Sequence, residues 1–271
     1  MPPPLAAITG ASSGIGAEFA RQLAARKYDL LLIARRLDRL QQLGNELSQR
    51  HGIRCEALVA DLAVNESLAR VEKRLRTEPN LEFLVNNAGF GAKGLFWEAT
   101  LESQDAMHRV HVMAVMRLSH AALANMVARD TGALVNVSSV ASFMVSAGGV
   151  SYCATKTWMT NFTEGLAIDL QSASSRVRVQ ALCPGFTFTE FHDVMGMDRN
   201  TVPRSMWMSA EEVVATSLRG LDSGKIIVVP GWRYKLICAM LKLLPASAKR
   251  VIGLRAGERR NAINTGRKAS G

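Results

Sequence analysis

With 271 residues the chain is long enough to bury roughly three quarters of its unfolded surface, so it needs no disulfides or metal to hold a core. Its net charge of +10 is all at one end: residues 1–223 carry 22 basic and 22 acidic side chains, and residues 224–271 carry 11 basic side chains against Glu258 alone. A neutral body argues against a nucleic-acid-binding domain, in which the basic residues are built into the fold.

Strand-length apolar runs alternate with segments of helical period along the chain. In order these are a strand at Leu5–Thr9, a helix near 14–26, a strand at Asp29–Ala34, a helix near 37–50, a strand at Cys55–Ala60 and a helix near 64–76. Then come a strand at Glu82–Asn86, a long helix near 102–129, a strand at Ala133–Val137, a helix near 151–172, a strand at Val177–Leu182, a helix near 209–221 and a strand at Lys225–Val229. Strict alternation with near-continuous apolar strands predicts an α/β, doubly wound (Rossmann) parallel sheet of about seven strands with helices on both faces. Its ligand belongs at the C-terminal strand ends, where strand order reverses. Neither linker nor repeat appears, so residues 1–230 read as a single domain, with 231–271 as a basic extension.

The first strand runs into Thr9-Gly10-Ala11-Ser12-Ser13-Gly14-Ile15-Gly16, which opens the first helix. Glycines there allow a tight turn and close approach of backbone to a pyrophosphate, which rests on the helix N-terminus. The second strand ends Ala34-Arg35-Arg36, at the place where an NAD-binding chain usually carries an acid for the ribose 2′-hydroxyl. Two cations at a helix start oppose its dipole, and a 2′-phosphate offsets that cost with charge-assisted bonds. The expected cofactor is therefore NADP.

Tyr152 and Lys156 stand at i and i+4, one helical turn apart. A free tyrosine, with a pKa of about 10, is a poor acid or base at neutral pH, and a neighbouring cation favours its phenolate. Alone, the pair is a weak signal that reads rather as a surface contact. Asn136 to Ser139 ends the fifth strand at the ligand edge, and Ser139, 13 residues before Tyr152, offers a hydroxyl for a carbonyl or alkoxide oxygen.

Taken together, the 9–16 glycine motif, Asp61-Leu62, Asn86-Asn87-Ala88-Gly89, Ser139, Tyr152 with Lys156, and Pro184-Gly185 with Thr189 resemble the short-chain dehydrogenase/reductase family over residues 5 to 230. The resemblance implies hydride exchange between nicotinamide and a carbonyl or secondary alcohol, with Ser139, Tyr152 and Lys156 as catalytic residues. It implies a cofactor lined by Gly10, Ser12 to Gly16, Arg35, Arg36, Asp61, Leu62, Asn87 to Gly89, Tyr152, Lys156, Pro184, Gly185, Thr187 and Thr189. In that pattern His111 stands where the family carries an asparagine supporting a proton-relay water. A neutral imidazole can accept at one nitrogen and donate at the other, so relay substitution and simple packing both remain open. His108, three residues earlier, has no matching role, and no third ligand at suitable spacing makes a metal site.

On the substrate side, Phe191 to Met197 and Met206-Trp207-Met208 read either as the family's mobile lid, spanning about 190–208, or as core. Phe143, Met144 and Val145 line the same region, so the expected substrate is a lipophilic carbonyl or alcohol. In the tail Trp232, Leu236, Met240 and Leu243 follow helical period. The run is too short to span a bilayer. It reads either as a basic amphipathic element for a membrane surface or anionic partner, or as a helix docked on the body. The N-terminus lacks the features of a signal peptide, and Cys55, Cys153, Cys183 and Cys238 have no ligand spacing; both suggest a cytoplasmic protein with free thiols. The family resemblance implies a homodimer or homotetramer formed through the fourth and fifth helices. The alternative to an enzyme is a nucleotide-sensing or scaffolding protein that keeps the fold without turnover.

Overall fold

The computed structural model describes residues 3–91, 94–191 and 201–254. Seven strands form one parallel sheet: β1 (Leu5–Thr9), β2 (Asp29–Ala34), β3 (Cys55–Val59), β4 (Leu81–Asn86), β5 (Ala133–Val137), β6 (Arg178–Leu182) and β7 (Ile227–Val228). Their order, β3-β2-β1-β4-β5-β6-β7, reverses between β1 and β4, so a crevice opens beyond the C-terminal ends of these two strands.

β1, β2 and β5 are buried along their whole length, which is why their sequences run apolar without alternation. The edge strand β3 is only partly buried and keeps Glu56 within it. β7 is shorter than the sequence run suggests, with two residues paired against β6.

Helices α1 (Gly14–Ala25) and α2 (Leu37–His51) cover one face together with α7 (Ala210–Asp222). There Phe19, Leu23, Leu40, Leu47, Val213 and Leu218 close over Ile8 and Leu32. The opposite face carries α3 (Asn65–Arg76), α4 (Leu101–His108), α5 (Val115–Ala128) and α6 (Val150–Ser172). On that side Leu68, Leu75, Leu118, Ala122 and Leu170 pack on Leu31 and Leu84. The expected single helix over 102–129 is interrupted by a π-helical stretch, Arg109–Ala114, that contains His111. Such bulges change the facing of side chains mid-helix and recur at functional sites. By length and composition Leu101–Ala128 passes as a membrane span, yet half of it is buried against the body.

A further helix, α8 (Trp232–Leu243), follows β7, and a helical segment continues over 246–254. Both lie back on the catalytic side of the sheet: Lys242 sits over the Phe143 ring at 5.2 Å, and Ala147 donates its N–H to the carbonyl of Gly253 at 3.4 Å.

Candidate active site

The β1–α1 turn is built by close backbone approach. Gly10 and Gly14 have φ of +67° and +56°, and a Cβ on Gly16 would lie 2.3 Å from the Gly10 carbonyl oxygen. Asn87 locks this turn from β4, its Nδ2 donating to the Thr9 and Gly10 carbonyls at 3.0 and 3.2 Å. In return Thr9 Oγ1 accepts from the N–H groups of Asn87 and Ala88 at 2.9 and 3.0 Å. α1 begins with no side-chain cap and no acid in its first turn. Its positive end is therefore available to an anion.

Arg36 completes a cationic cradle beside this turn. Its Nη2 donates to Ser12 Oγ at 3.0 Å and to Ser13 Oγ at 3.1 Å, and its Nη1 reaches Glu190 at 3.1 Å. Arg35, which the sequence treats as the equal of Arg36, turns the other way. It is 76% exposed, 4.0 Å from Asp61, because successive residues leaving a strand point to opposite sides. Arg39, one turn into α2, joins Arg36 on Glu190. Sequence reasoning missed both Arg39 and Glu190: one looked like helix-surface charge, and the other is 151 residues away in the chain. Leu62 is buried beside the end of β3, and Asp61 Oδ1 caps the following turn by accepting from the Ala63 N–H at 2.9 Å. The glycine turn, the open helix end and the Arg36 cradle fit the phosphates of a dinucleotide.

The catalytic candidates converge across the crevice. Ser139 follows β5 and accepts from the Ala141 N–H at 3.1 Å, and its hydroxyl faces Tyr152 closely enough to lower the phenol pKa. Lys156 is buried in the same wall and donates to the Val137 carbonyl at 2.8 Å, with its Nζ 5.8 Å from the centre of the Tyr152 ring. Ser138, adjacent to Ser139, fixes α6 against the strand end through the Lys156 carbonyl at 2.9 Å and the Thr160 hydroxyl at 2.9 Å.

The electrostatics differ from the expectation that Lys156 lowers the phenol. Burial of the Tyr152 hydroxyl pushes its pKa up to about 12, opposed by the Ser139 hydrogen bond. Burial also brings Lys156 down to about 8. The ammonium is turned to a carbonyl rather than to the phenol, and desolvation is the largest cause of the shift in both groups. Tyr152 stays a protonated donor throughout the neutral range.

His111 is fully buried and both of its ring nitrogens are occupied. Nε2 accepts the Phe90 N–H at 3.1 Å, while Nδ1 lies 3.0 Å from Thr155 Oγ1. The Thr155 hydroxyl spends its own proton on the Tyr152 carbonyl at 3.0 Å, which assigns the imidazole proton to Nδ1. Burial, then the charges of Lys156 and His108, hold the pKa of His111 well below its usual range. Both ring nitrogens are thus engaged within the protein, and His111 ties the loop after β4 to the turn of α6 that carries Tyr152. Gly89 is needed beside it, since a Cβ there would stand 2.8 Å from Nε2. His108 is exposed, its Nδ1 2.9 Å from the Gln104 carbonyl. No group of three metal-ligating side chains occurs among the described residues.

After β6, Pro184 and Gly185 are followed by Thr187, whose hydroxyl donates to the Gly185 carbonyl at 3.1 Å. Thr189 closes over the glycine turn, 2.9 Å from where a Gly14 Cβ would be. The Phe191 ring lies 6.0 Å from that of Tyr152, at the substrate end. Of the substrate-side residues, 192–200 lie outside the described residues. Trp207 and Met208 are core: Trp207 stacks on Phe188 at 5.0 Å, and both residues are buried. A small cleft beside Tyr152 is lined by Gly94, Phe96, Gln104, Gly148 and Val150.

The tail helix docks on the body along one face. Tyr234, Cys238 and Leu241 are buried, and the Tyr234 hydroxyl accepts from the Phe186 N–H at 3.0 Å while donating to the Met206 carbonyl at 2.7 Å. The opposite stripe, Trp232, Leu236, Met240 and Leu243, faces out with 55–87% exposure.

A parallel sheet with a phosphate-binding turn at its topological switch and a Ser-Tyr-Lys cluster on the next strand end defines a nicotinamide-dinucleotide oxidoreductase. The model of the short chain dehydrogenase family matches residues 4–200, and this chain belongs to that family. Oxidoreductase UcpA of Escherichia coli is 34% identical over 197 residues, 72% of this chain and 73% of that protein. Among solved structures, a short-chain dehydrogenase from Sphingobium yanoikuyae in complex with NADPH is 34% identical, covering 90% of this chain and 97% of its own, with a TM-score of 0.80. A bulky-bulky ketone specific alcohol dehydrogenase from Comamonas testosteroni is 30% identical, covering 90% and 95%, with a TM-score of 0.77.

Proposed function

We propose that the protein is an NADP(H)-dependent oxidoreductase that interconverts a lipophilic carbonyl compound and its secondary alcohol. The observation that carries this reading is the Ser139–Tyr152–Lys156 cluster facing, across one crevice, a phosphate cradle built on Arg36 rather than on an acid. Ser12, Ser13 and Arg36 would hold the 2′-phosphate, the 14–16 turn the pyrophosphate, and Lys156 the nicotinamide ribose. When bound, the dinucleotide supplies or takes the hydride. In reduction, Ser139 holds the carbonyl oxygen by its hydroxyl, and Tyr152 delivers its proton to that oxygen as negative charge develops. Lys156 stabilises the phenolate left behind. A phenol pKa near 12 suits the proton donor of a reduction.

The apolar side chains beside Tyr152, namely Phe191, Phe96 and Val150, support a lipophilic substrate. The NADPH-bound Sphingobium protein and the ketone-specific Comamonas enzyme support the same cofactor and substrate class by similarity. NADPH oxidation is measured with a panel of aliphatic, aromatic and steroid-like ketones, using Tyr152→Phe as control. Tyr152-dependent turnover supports the enzyme; tight NADPH binding with no such turnover favours the sensing or scaffolding alternative.

Four free cysteines support a cytoplasmic setting. Exposed Met116, Val127 and Ile168 on α5 and α6 support a homo-oligomer through those helices, to be checked by light scattering. The outward stripe of α8, flanked by Arg233 and Lys235, supports contact with an anionic membrane surface. Co-sedimentation with phosphatidylglycerol vesicles should be lost in Leu236→Glu/Leu243→Glu, and equal pelleting of both proteins would remove that contact.

A further inference from the structure

Glu190 is the one acid drawn to the cationic cradle among the described residues, and it is held by two arginines. Arg36 Nη1 donates to its Oε2 at 3.1 Å, and Arg39 Nη1 donates to its Oε1. The other donors of Arg36 are spent on Ser12 and Ser13. Two guanidinium groups directed at separate oxygens of one anion is an arrangement that equally suits a phosphate. The carboxylate comes from the far side of the crevice, next in sequence to Thr189, which covers Gly14. Its own pKa is held below the ordinary carboxylate range, chiefly by Arg39, so it is fully charged at neutral pH.

We propose that Glu190 is an internal competitor for the 2′-phosphate of NADP(H), and that Arg39 is a second phosphate-binding residue beside Arg36. Resting on the NADP reading, this makes Glu190 a determinant of cofactor specificity. A 2′-phosphate entering the cradle must share or displace a carboxylate already on both arginines. A 2′-hydroxyl carries no charge to exchange and leaves the contact in place. Glu190 therefore narrows the preference for NADP over NAD that the arginines alone would give. All three side chains are 40–43% exposed, so solvent limits the size of the effect.

Binding of NADP+ and of NAD+, two ligands that differ only in the 2′-phosphate, is measured by calorimetry without substrate for wild type, Glu190→Gln, Glu190→Ala, Arg39→Gln and the Glu190→Gln/Arg39→Gln double variant. Both Glu190 variants should bind NADP+ about three- to fivefold tighter, with NAD+ changed less than about twofold. Arg39→Gln should weaken NADP+ selectively, and the gain from Glu190→Gln should shrink in the double variant. Folded Glu190 variants with an unchanged NADP+/NAD+ ratio, or with both ligands tightened equally, overturn the proposal; thermal melting confirms the fold. The wild-type ratio separately judges the cofactor reading, which fails if NAD+ binds as tightly as NADP+.

Discussion

The two walls of the crevice use charge in opposite ways. In the cationic cradle, Arg36, Arg39 and Glu190 are each about two-fifths exposed, and they meet as ordinary charged partners in water. In the catalytic wall, Lys156 and His111 are buried, and desolvation is the first cause of the shift in each. The same groups are thus worth little on one side and govern chemistry on the other. Solvent screening decides which, since an exposed pair contributes on the order of 1 kcal/mol at most while burial moves a pKa by units.

The largest expected break in this contrast is at the catalytic wall. Lys156→Met should lower turnover by about a hundredfold or more in steady-state assays, since it removes the charge that stabilises a phenolate. Arg36→Ala should instead raise the Kd for NADP+ about tenfold while changing turnover at saturating cofactor little.

Next comes His111. His111→Ala leaves the Phe90 N–H without its acceptor and opens a cavity, an expected loss of about 2–4 kcal/mol in urea unfolding. Its turnover pH profile should keep its shape, whereas a relay residue would alter it. Because the folded pKa of His111 lies below its unfolded value of 6.5, the unfolded chain takes up the proton first as pH falls. Stability from this residue is therefore full above about 6.5 and declines below it, and His111→Asn should flatten that slope.

Lys156 gives a smaller, separable signature. Its folded pKa of about 8 lies under the ordinary 10.5, so the ammonium is lost as pH rises through 8, and reduction should slow there by a few-fold per unit. For stability the sign is reversed: between 8 and 10.5 the unfolded chain holds the extra proton, so the Lys156 contribution rises with pH. At the bottom of the scale, Arg109→Ala breaks an exposed pair with Asp105 at 2.6 Å and should change the unfolding free energy in urea by no more than about 0.5 kcal/mol.

Most of the fold was legible because each of its signals is local. Uninterrupted apolar strands, helical period between them and a glycine turn after β1 are properties of short windows, and they placed nearly every element. β7 was overestimated because an apolar run does not reveal how much of it finds a partner. The π-helical stretch was invisible because Arg109–Ala114 has the same apolar period as its flanks; it carries His111, which sits between Phe90 and Thr155. The site followed the same division. Ser139, Tyr152 and Lys156 were singled out from spacing, a strand end and the family resemblance, but the directions of the Lys156 ammonium and of the two His111 nitrogens depend on neighbours distant in sequence.

Sequence alone determined the sheet, the glycine turn after β1 and the concentration of charge in the last 48 residues, since composition and spacing along the chain carry these. Only the tertiary structure decided which arginine faces the cradle and that Glu190 shares it. It likewise decided that Tyr152 is raised rather than lowered, and which stripe of α8 stays in solvent. All four are matters of burial and of partners brought together by the fold, and a one-dimensional pattern records neither.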